Sequence, residues 1–199
     1  MKFLLAALLC WAGIAEARDV MDLRTYGAPS ANTIYLFTSP GCSHCRDFHK
    51  TIFPEILKRF VNNKKAELVI VDMPAALNSL QATMLMRCLP ADKSLKAMGW
   101  IYENQSQWAY TENVKGIFEK YAQALGMSKS DFEKCLANEK LQQNILNQRN
   151  QWATLYKIGG TPTTVLRHGN TVKYYVGTDR QDVLGGLTRD IQEFEKQGR

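Results

Sequence analysis

The run Ile34-Tyr35-Leu36-Phe37 is β-branched and aromatic, and it stops at Ser39-Pro40-Gly41. Beyond that break, apolar residues return at Phe48, Ile52, Ile56 and Phe60, every fourth position. A short continuous apolar run predicts a buried strand, and a spacing of four predicts a helix with one apolar face. The boundary falls on Cys42-Ser43-His44-Cys45. The sequence therefore places a CxxC pair where a strand ends and a helix begins, with Cys42 at the helix N-terminus and Cys45 one turn in. The first N–H groups of a helix lack intrahelical partners, and the positive end of the helix dipole lies there. An anion is stabilised in that position, and the thiolate is the reactive form of cysteine. Thiols in such settings ionise at about 3.5–7.5 rather than roughly 8.5. His44, between the two sulfurs, can add a donor or a positive charge. A dithiol one turn apart can close into a disulfide and reopen by exchange with another protein's cysteines.

The rest of the chain sets this unit in a larger order. Residues 18–32 are polar and turn-rich, with room for a short edge strand. The helix is expected over about 42–62, kinked at Pro54, whose ring removes one backbone donor. Leu68-Val69-Ile70-Val71 reads as a second buried strand, so strand, helix and strand form a βαβ unit with parallel strands. From about 75 to 158 the β-branched runs vanish, and Leu, Met, Gln, Lys, Asn and Ala dominate. Val114, Ile117, Phe118, Tyr121 and Leu125 recur at helical spacing, as do Leu141, Ile145, Trp152 and Leu155. Ser128 followed by Asp131 has the form of a helix start. Sheet character returns with Thr163 to His168, the Gly169-Asn170 turn and Thr171 to Val176, an antiparallel hairpin. Asp179 is placed to cap a last helix whose face carries Val183, Leu184, Leu187, Ile191 and Phe194. The order is β-α-β, a large helical insert, then β-β-α: an α/β chain with a mixed sheet.

With 199 residues, 45% of them hydrophobic, the chain can build a core without metals or disulfides in its place. The formal net charge of +6 is spread along the chain with no long basic run, which argues against a nucleic-acid partner. Residues 1–17 read as a cleaved signal peptide, with Lys2, an apolar stretch from Phe3 to Ile14, and Ala15-Glu16-Ala17 as the cleavage pattern. The mature chain, 18–199, then keeps Cys42, Cys45, Cys88 and Cys135, an even number that suits an oxidising compartment. Three pairings are open to four cysteines, and the tight spacing makes Cys42–Cys45 the natural one.

The CxxC at a strand-to-helix junction, the helical insert after the second strand, and Gly159-Gly160-Thr161-Pro162-Thr163 before the hairpin together resemble the DsbA-like family of thioredoxin-fold proteins. The resemblance covers nearly all of the mature chain. It implies a thioredoxin fold with a helical insert, and an exported thiol–disulfide oxidoreductase whose redox pair is Cys42 and Cys45. It implies a cis bond before Pro162, facing that pair, and a Thr161 backbone that can pair with an incoming peptide. Gly41 stands where thioredoxins have Trp, and Ser43 where the family oxidase has Pro. His44 matches the oxidase, whereas Thr161 before Pro162 is nearer the isomerase branch. Some DsbA-like proteins carry a second disulfide in the insert, and Cys88 with Cys135 are the candidates here. The alternative for that pair is two buried free thiols packed as small hydrophobes.

The expected activity is therefore a dithiol oxidase of folding exported proteins, in the periplasm or secreted. By resemblance a membrane quinone-linked oxidase reoxidises it. No organic cofactor or metal is implied. The absence of room for a dimerisation domain before residue 33 favours a monomer. An isomerase or reductase would use the same residues; a non-catalytic chaperone module and a zinc site, which needs two further ligands, are the remaining alternatives. His49, one turn after Cys45, is expected to be a surface or packing residue, and His168 to lie at the surface. Trp100, Trp108, Trp152, Met84, Met86 and Met98 are expected mostly in the core.

Overall fold

The computed structural model describes residues 23–197, so the expected signal peptide at 1–17 lies outside the described residues. Five strands form one sheet in the order β1-β3-β2-β4-β5. The two apolar runs are its centre. Strand β2 (Asn32–Thr38) pairs in parallel with β3 (Glu67–Asp72), Phe37 opposite Val71, and antiparallel with β4 (Thr163–His168), Phe37 opposite Thr163. Strand β5 (Thr171–Val176) closes the expected hairpin, with Gly169 at φ +55° in its turn. The polar leader supplies the edge strand β1 (Arg24–Tyr26), antiparallel to β3.

The first helix is where expectation and structure differ. Instead of one kinked helix, α1 (Ser43–Thr51) ends at Ile52, and α2 (Phe53–Ile56) begins with Pro54 in its first turn. A helix start has no use for the N–H that proline lacks, so the residue opens a new helix rather than bending an old one. The chain then widens into a π turn over Leu57–Val61, closed by Asn62 N–H donating to the Leu57 carbonyl at 2.8 Å. Ile52, Ile56 and Phe60 stay buried through all three pieces.

Six helices lie between β3 and β4: α3 (Leu77–Cys88), α4 (Ala91–Glu103), α5 (Gln105–Trp108), α6 (Val114–Ala124), α7 (Lys129–Leu136) and α8 (Glu139–Leu155). Ser128 caps α7 by accepting from Asp131 N–H at 3.0 Å, and Asn138 caps α8 by accepting from Leu141 N–H at 2.9 Å. Trp108, Met84, Met86 and Met98 are buried; Trp100 and Trp152 are half-buried. One face of the sheet packs Ile34, Leu36, Leu68 and Ile70 against α1 and the insert; the other packs Tyr35, Phe37, Val69 and Val165 beneath Tyr156 and Trp152 of the α8 end. Ile145 turns inward from α8, whereas Leu155 stays exposed.

After β5, Asp179 accepts from Asp182 N–H at 2.8 Å and starts a π turn (Gln181–Gly185) that leads into α9 (Gly186–Gln197). All five apolar positions expected on that face are buried. Among the described residues, no helix is long and apolar enough to cross a membrane.

Candidate active site

Cys42 is the last extended residue before α1, at φ −86° and ψ 125°. Its carbonyl accepts the first helical bond from Arg46 N–H at 3.1 Å. Its sulfur is half-buried and lies 3.4 Å from the Thr161 carbonyl oxygen. Cys45, three residues on, is fully buried, and its sulfur accepts from Ser39 N–H at 3.4 Å. Both are free thiols in this structure.

The two sulfurs are chemically unequal. The Cys42 thiol is brought down to about 5, first by a hydrogen bond from the Cys45 thiol. Burial opposes the shift; the backbone N–H of Cys45, the Thr161 side chain and the backbone N–H of His44 add to it. Cys45 is pushed far above the ordinary thiol range, by its bond to the Cys42 sulfur and by burial. One proton is thus shared unequally: it sits on the buried sulfur and leaves the accessible one as the thiolate. What His44 presents to Cys42 is its backbone N–H; its ring side is exposed.

Thr161, whose carbonyl lies beside Cys42, and Pro162 immediately precede β4, and the bond between them is cis. Gly177 N–H donates to the Pro162 carbonyl at 3.0 Å, and Thr163 Oγ1 donates to the Gly160 carbonyl at 2.8 Å, which fixes the loop below. Gly41 is explained by the insert. A Cβ there would stand 3.2 Å from Ser79 Cβ on α3, so the helix occupies the space that a large side chain would need.

His49 is a packing residue, buried rather than at the surface. Its ring stacks on Tyr102 at 3.6 Å between centroids, and its Nε2 lies 3.3 Å from Thr38 Oγ1. Thr38 Oγ1 is in turn 2.7 Å from the Tyr102 hydroxyl. Burial, and then Arg24, press His49 down to about 3, so it is neutral at ordinary pH. Burial pushes Tyr102 well up. His168 is half-buried, stacked on Phe194 and 2.8 Å from Asn32 Oδ1.

Three buried groups that organise this end of the fold were not legible in the sequence. Asp72, at the end of β3, is buried between Arg24 and Arg87. Tyr102 reaches Thr38 from α4, and Gln105 reaches the loop before Cys42 from α5. Each is remote in sequence and sits in a stretch whose composition signals only a helix or strand end. Cys88 and Cys135, at the C-terminal ends of α3 and α7, are joined by a disulfide with their Cα atoms 6.1 Å apart. Among the described residues, no group of three His, Cys, Asp or Glu side chains is placed to hold a metal ion.

A thioredoxin sheet with a CxxC at the N-terminus of α1, opposed by a cis-proline loop, defines the class. The thioredoxin family profile matches residues 20–173, and the chain belongs to that family. A Rickettsia conorii protein that carries the name of a protein-disulfide oxidoreductase is 29% identical over 154 residues, covering 76% of this chain and 56% of its own length. The chain thus spans a little over half of that curated relative. Among solved structures, Wolbachia pipientis α-DsbA1 superposes with a TM-score of 0.77 at 18% identity, covering 87% of this chain and 90% of its own. A protein-disulfide isomerase from Novosphingobium aromaticivorans gives 0.74 at 16% identity, covering 85% and 98%. The fold, helical insert included, is that of the DsbA proteins.

Proposed function

We propose that the protein is an exported thiol–disulfide oxidoreductase that acts as a dithiol oxidase on folding proteins. The observation that carries this reading is the inequality of the two sulfurs: an accessible thiolate on Cys42 and a buried thiol on Cys45. In the oxidised enzyme a client thiolate attacks Cys42 Sγ. The Cys42–Cys45 bond breaks, its electron pair goes to Cys45, and that sulfur takes up a proton. A second client thiolate then attacks the client sulfur of the mixed disulfide, and Cys42 leaves as a thiolate. The client is oxidised by two electrons and the enzyme is left as the dithiol. A leaving thiolate that is already stable favours the reduced enzyme, and so makes the disulfide a strong oxidant.

In this reading Cys42 is the nucleophile of the reverse direction and Cys45 the resolving thiol. His44 supports the thiolate from the first turn. Thr161, with its carbonyl beside Cys42 and Pro162 behind it, receives the client backbone as an added strand. The Cys88–Cys135 disulfide is structural. The protein acts as a monomer in the periplasm after loss of residues 1–17, and a membrane quinone-linked oxidase restores its disulfide. The name of the rickettsial relative supports the reaction class. An isomerase or reductase would use the same residues, and the reduction potential separates them. A value near the glutathione poise of the endoplasmic reticulum, or more oxidising, is expected. A value near the roughly −270 mV of thioredoxin would refute the oxidase reading. Cys42→Ser should abolish oxidation of a reduced client; unchanged oxidation would refute catalysis by the pair.

A further inference from the structure

Gln105 opens the short helix α5 and is buried, at 3% exposure. Its amide nitrogen donates to two backbone carbonyls 63 and 65 residues away: Cys42 at 2.9 Å and Pro40 at 2.6 Å. Three residues earlier, the Tyr102 hydroxyl is 2.7 Å from Thr38 Oγ1. The turn between α4 and α5 thus grips the chain at alternate residues, 38, 40 and 42, as it runs from β2 into the nucleophile. That turn belongs to the insert, whereas the gripped segment belongs to the sheet. The turn is itself held firmly: Trp108 Nε1 donates to the Ile101 carbonyl at 2.8 Å, and Asn78 Nδ2 donates to the carbonyls of Trp108, Ala109 and Thr111 at 3.2, 3.2 and 3.0 Å.

We propose that Gln105 is a positioning residue through which the helical insert holds the Pro40–Cys42 loop and keeps the Cys42 sulfur against the N-terminus of α1. The inference rests on the reading of Cys42 as the nucleophile. The sulfur gains from the N–H groups of His44 and Cys45 only while Cys42 keeps its extended backbone at the helix start. The loop is also tied by Cys42 N–H donating to the Ser39 carbonyl at 3.1 Å, a bond within the segment that can turn with it as a unit. The Gln105 amide fixes the segment against an outside frame. It also sets a donor on the Cys42 carbonyl, turning the positive end of an amide dipole toward the residue that carries the negative charge. Without that donor the Cys42 carbonyl keeps only Arg46 N–H and the Pro40 carbonyl loses its Gln105 partner, a loss the loop relieves by rotating toward water. The rotation would carry the sulfur off the helix axis. The sheet thus supplies the anion site, and the insert sets how well the sulfur sits in it.

The test uses the whole reduced protein and follows alkylation of Cys42 by iodoacetamide from pH 4 to 9, with the modified residue assigned by peptide mass. Gln105→Met keeps the length and volume of the side chain and removes the donor. Its alkylation midpoint is expected to rise by about one unit, which leaves roughly tenfold less thiolate at a pH below both midpoints. Gln105→Asn withdraws the amide by one methylene and should shift the midpoint in the same direction by less; it carries the test if the Met variant fails to fold. Ser128→Ala removes the cap of α7, in the insert but away from the turn, and should melt earlier with its midpoint unmoved. The inference is overturned if the Gln105 variant titrates with the wild type, or if Ser128→Ala moves the midpoint equally. Failure of the proposed function looks different: the wild-type protein itself would then titrate near the ordinary thiol value.

Discussion

Acidification offers a direct reading of the proton count at the site. Above about pH 5 the reduced pair carries one proton, on Cys45, because Cys42 is already a thiolate. Reduction of the disulfide then takes up one proton for two electrons, and the potential should fall by about 30 mV per pH unit. Below about pH 5 both sulfurs are protonated, and the slope should double to about 59 mV. The same shift measures oxidising strength. A thiol that ionises two units below pH 7 favours the reduced form by about 2.7 kcal/mol, or about 60 mV. Cys42 is half-exposed, so solvent screening reduces that to about 30 mV. The sign is that of a lowered acid: the reduced fold gains fully above the ordinary thiol value and loses the gain as pH falls through about 5. The assay is equilibration with a glutathione or dithiothreitol couple of known potential, read by separation of the two enzyme forms between pH 4 and 8. A single slope of about 59 mV through neutral pH would show Cys42 protonated there, and the account of the site would fail.

Other consequences follow from the packing. Replacing both Cys88 and Cys135 by Ala opens a loop of 47 residues and should cost about 4 kcal/mol in urea unfolding, with client oxidation retained below the transition; a loss under about 1 kcal/mol would mean the loop is already ordered in the unfolded chain. Asp72→Asn leaves the Arg24 and Arg87 guanidiniums without their shared carboxylate and should cost about 3–5 kcal/mol by the same measurement. Gly186→Ala drives a Cβ into the Tyr175 ring and should cost about 1–3 kcal/mol, visible as a lower melting temperature. An unchanged melting temperature there would show that the Tyr175 ring, whose hydroxyl donates to Asp190 at 2.6 Å, can move aside.

The sheet, the hairpin, the last helix and the position of the pair were legible because each is encoded locally. Ile34 to Phe37 and Leu68 to Val71 are continuous because both of their faces are covered. Gly169-Asn170 marks a turn by backbone freedom, and Asp179 marks a helix start by its acceptor. The division of the first helix at Ile52 was not legible, since Pro54 suits a kink and a helix start alike. His49 illustrates the limit more sharply. An imidazole in a helical stretch gives no sign of the aromatic ring that will stack on it, and Tyr102 arrives from 53 residues away as the two positions number. Gln105 and Asp72 were missed for the same reason, because their meaning lies in partners brought by the fold.

Complete enclosure of the second sulfur has a consequence for how passengers are handled. Only one berth faces the outside, so a guest chain can be tethered at Cys42 alone, never at Cys45 and never at both together. A guest without a second thiol of its own would not be stranded. The inner sulfur sits one helical turn away; on giving up its proton it can attack the Cys42 sulfur, re-form the Cys42–Cys45 bond and break the tether, so that the guest leaves as the thiol it arrived as.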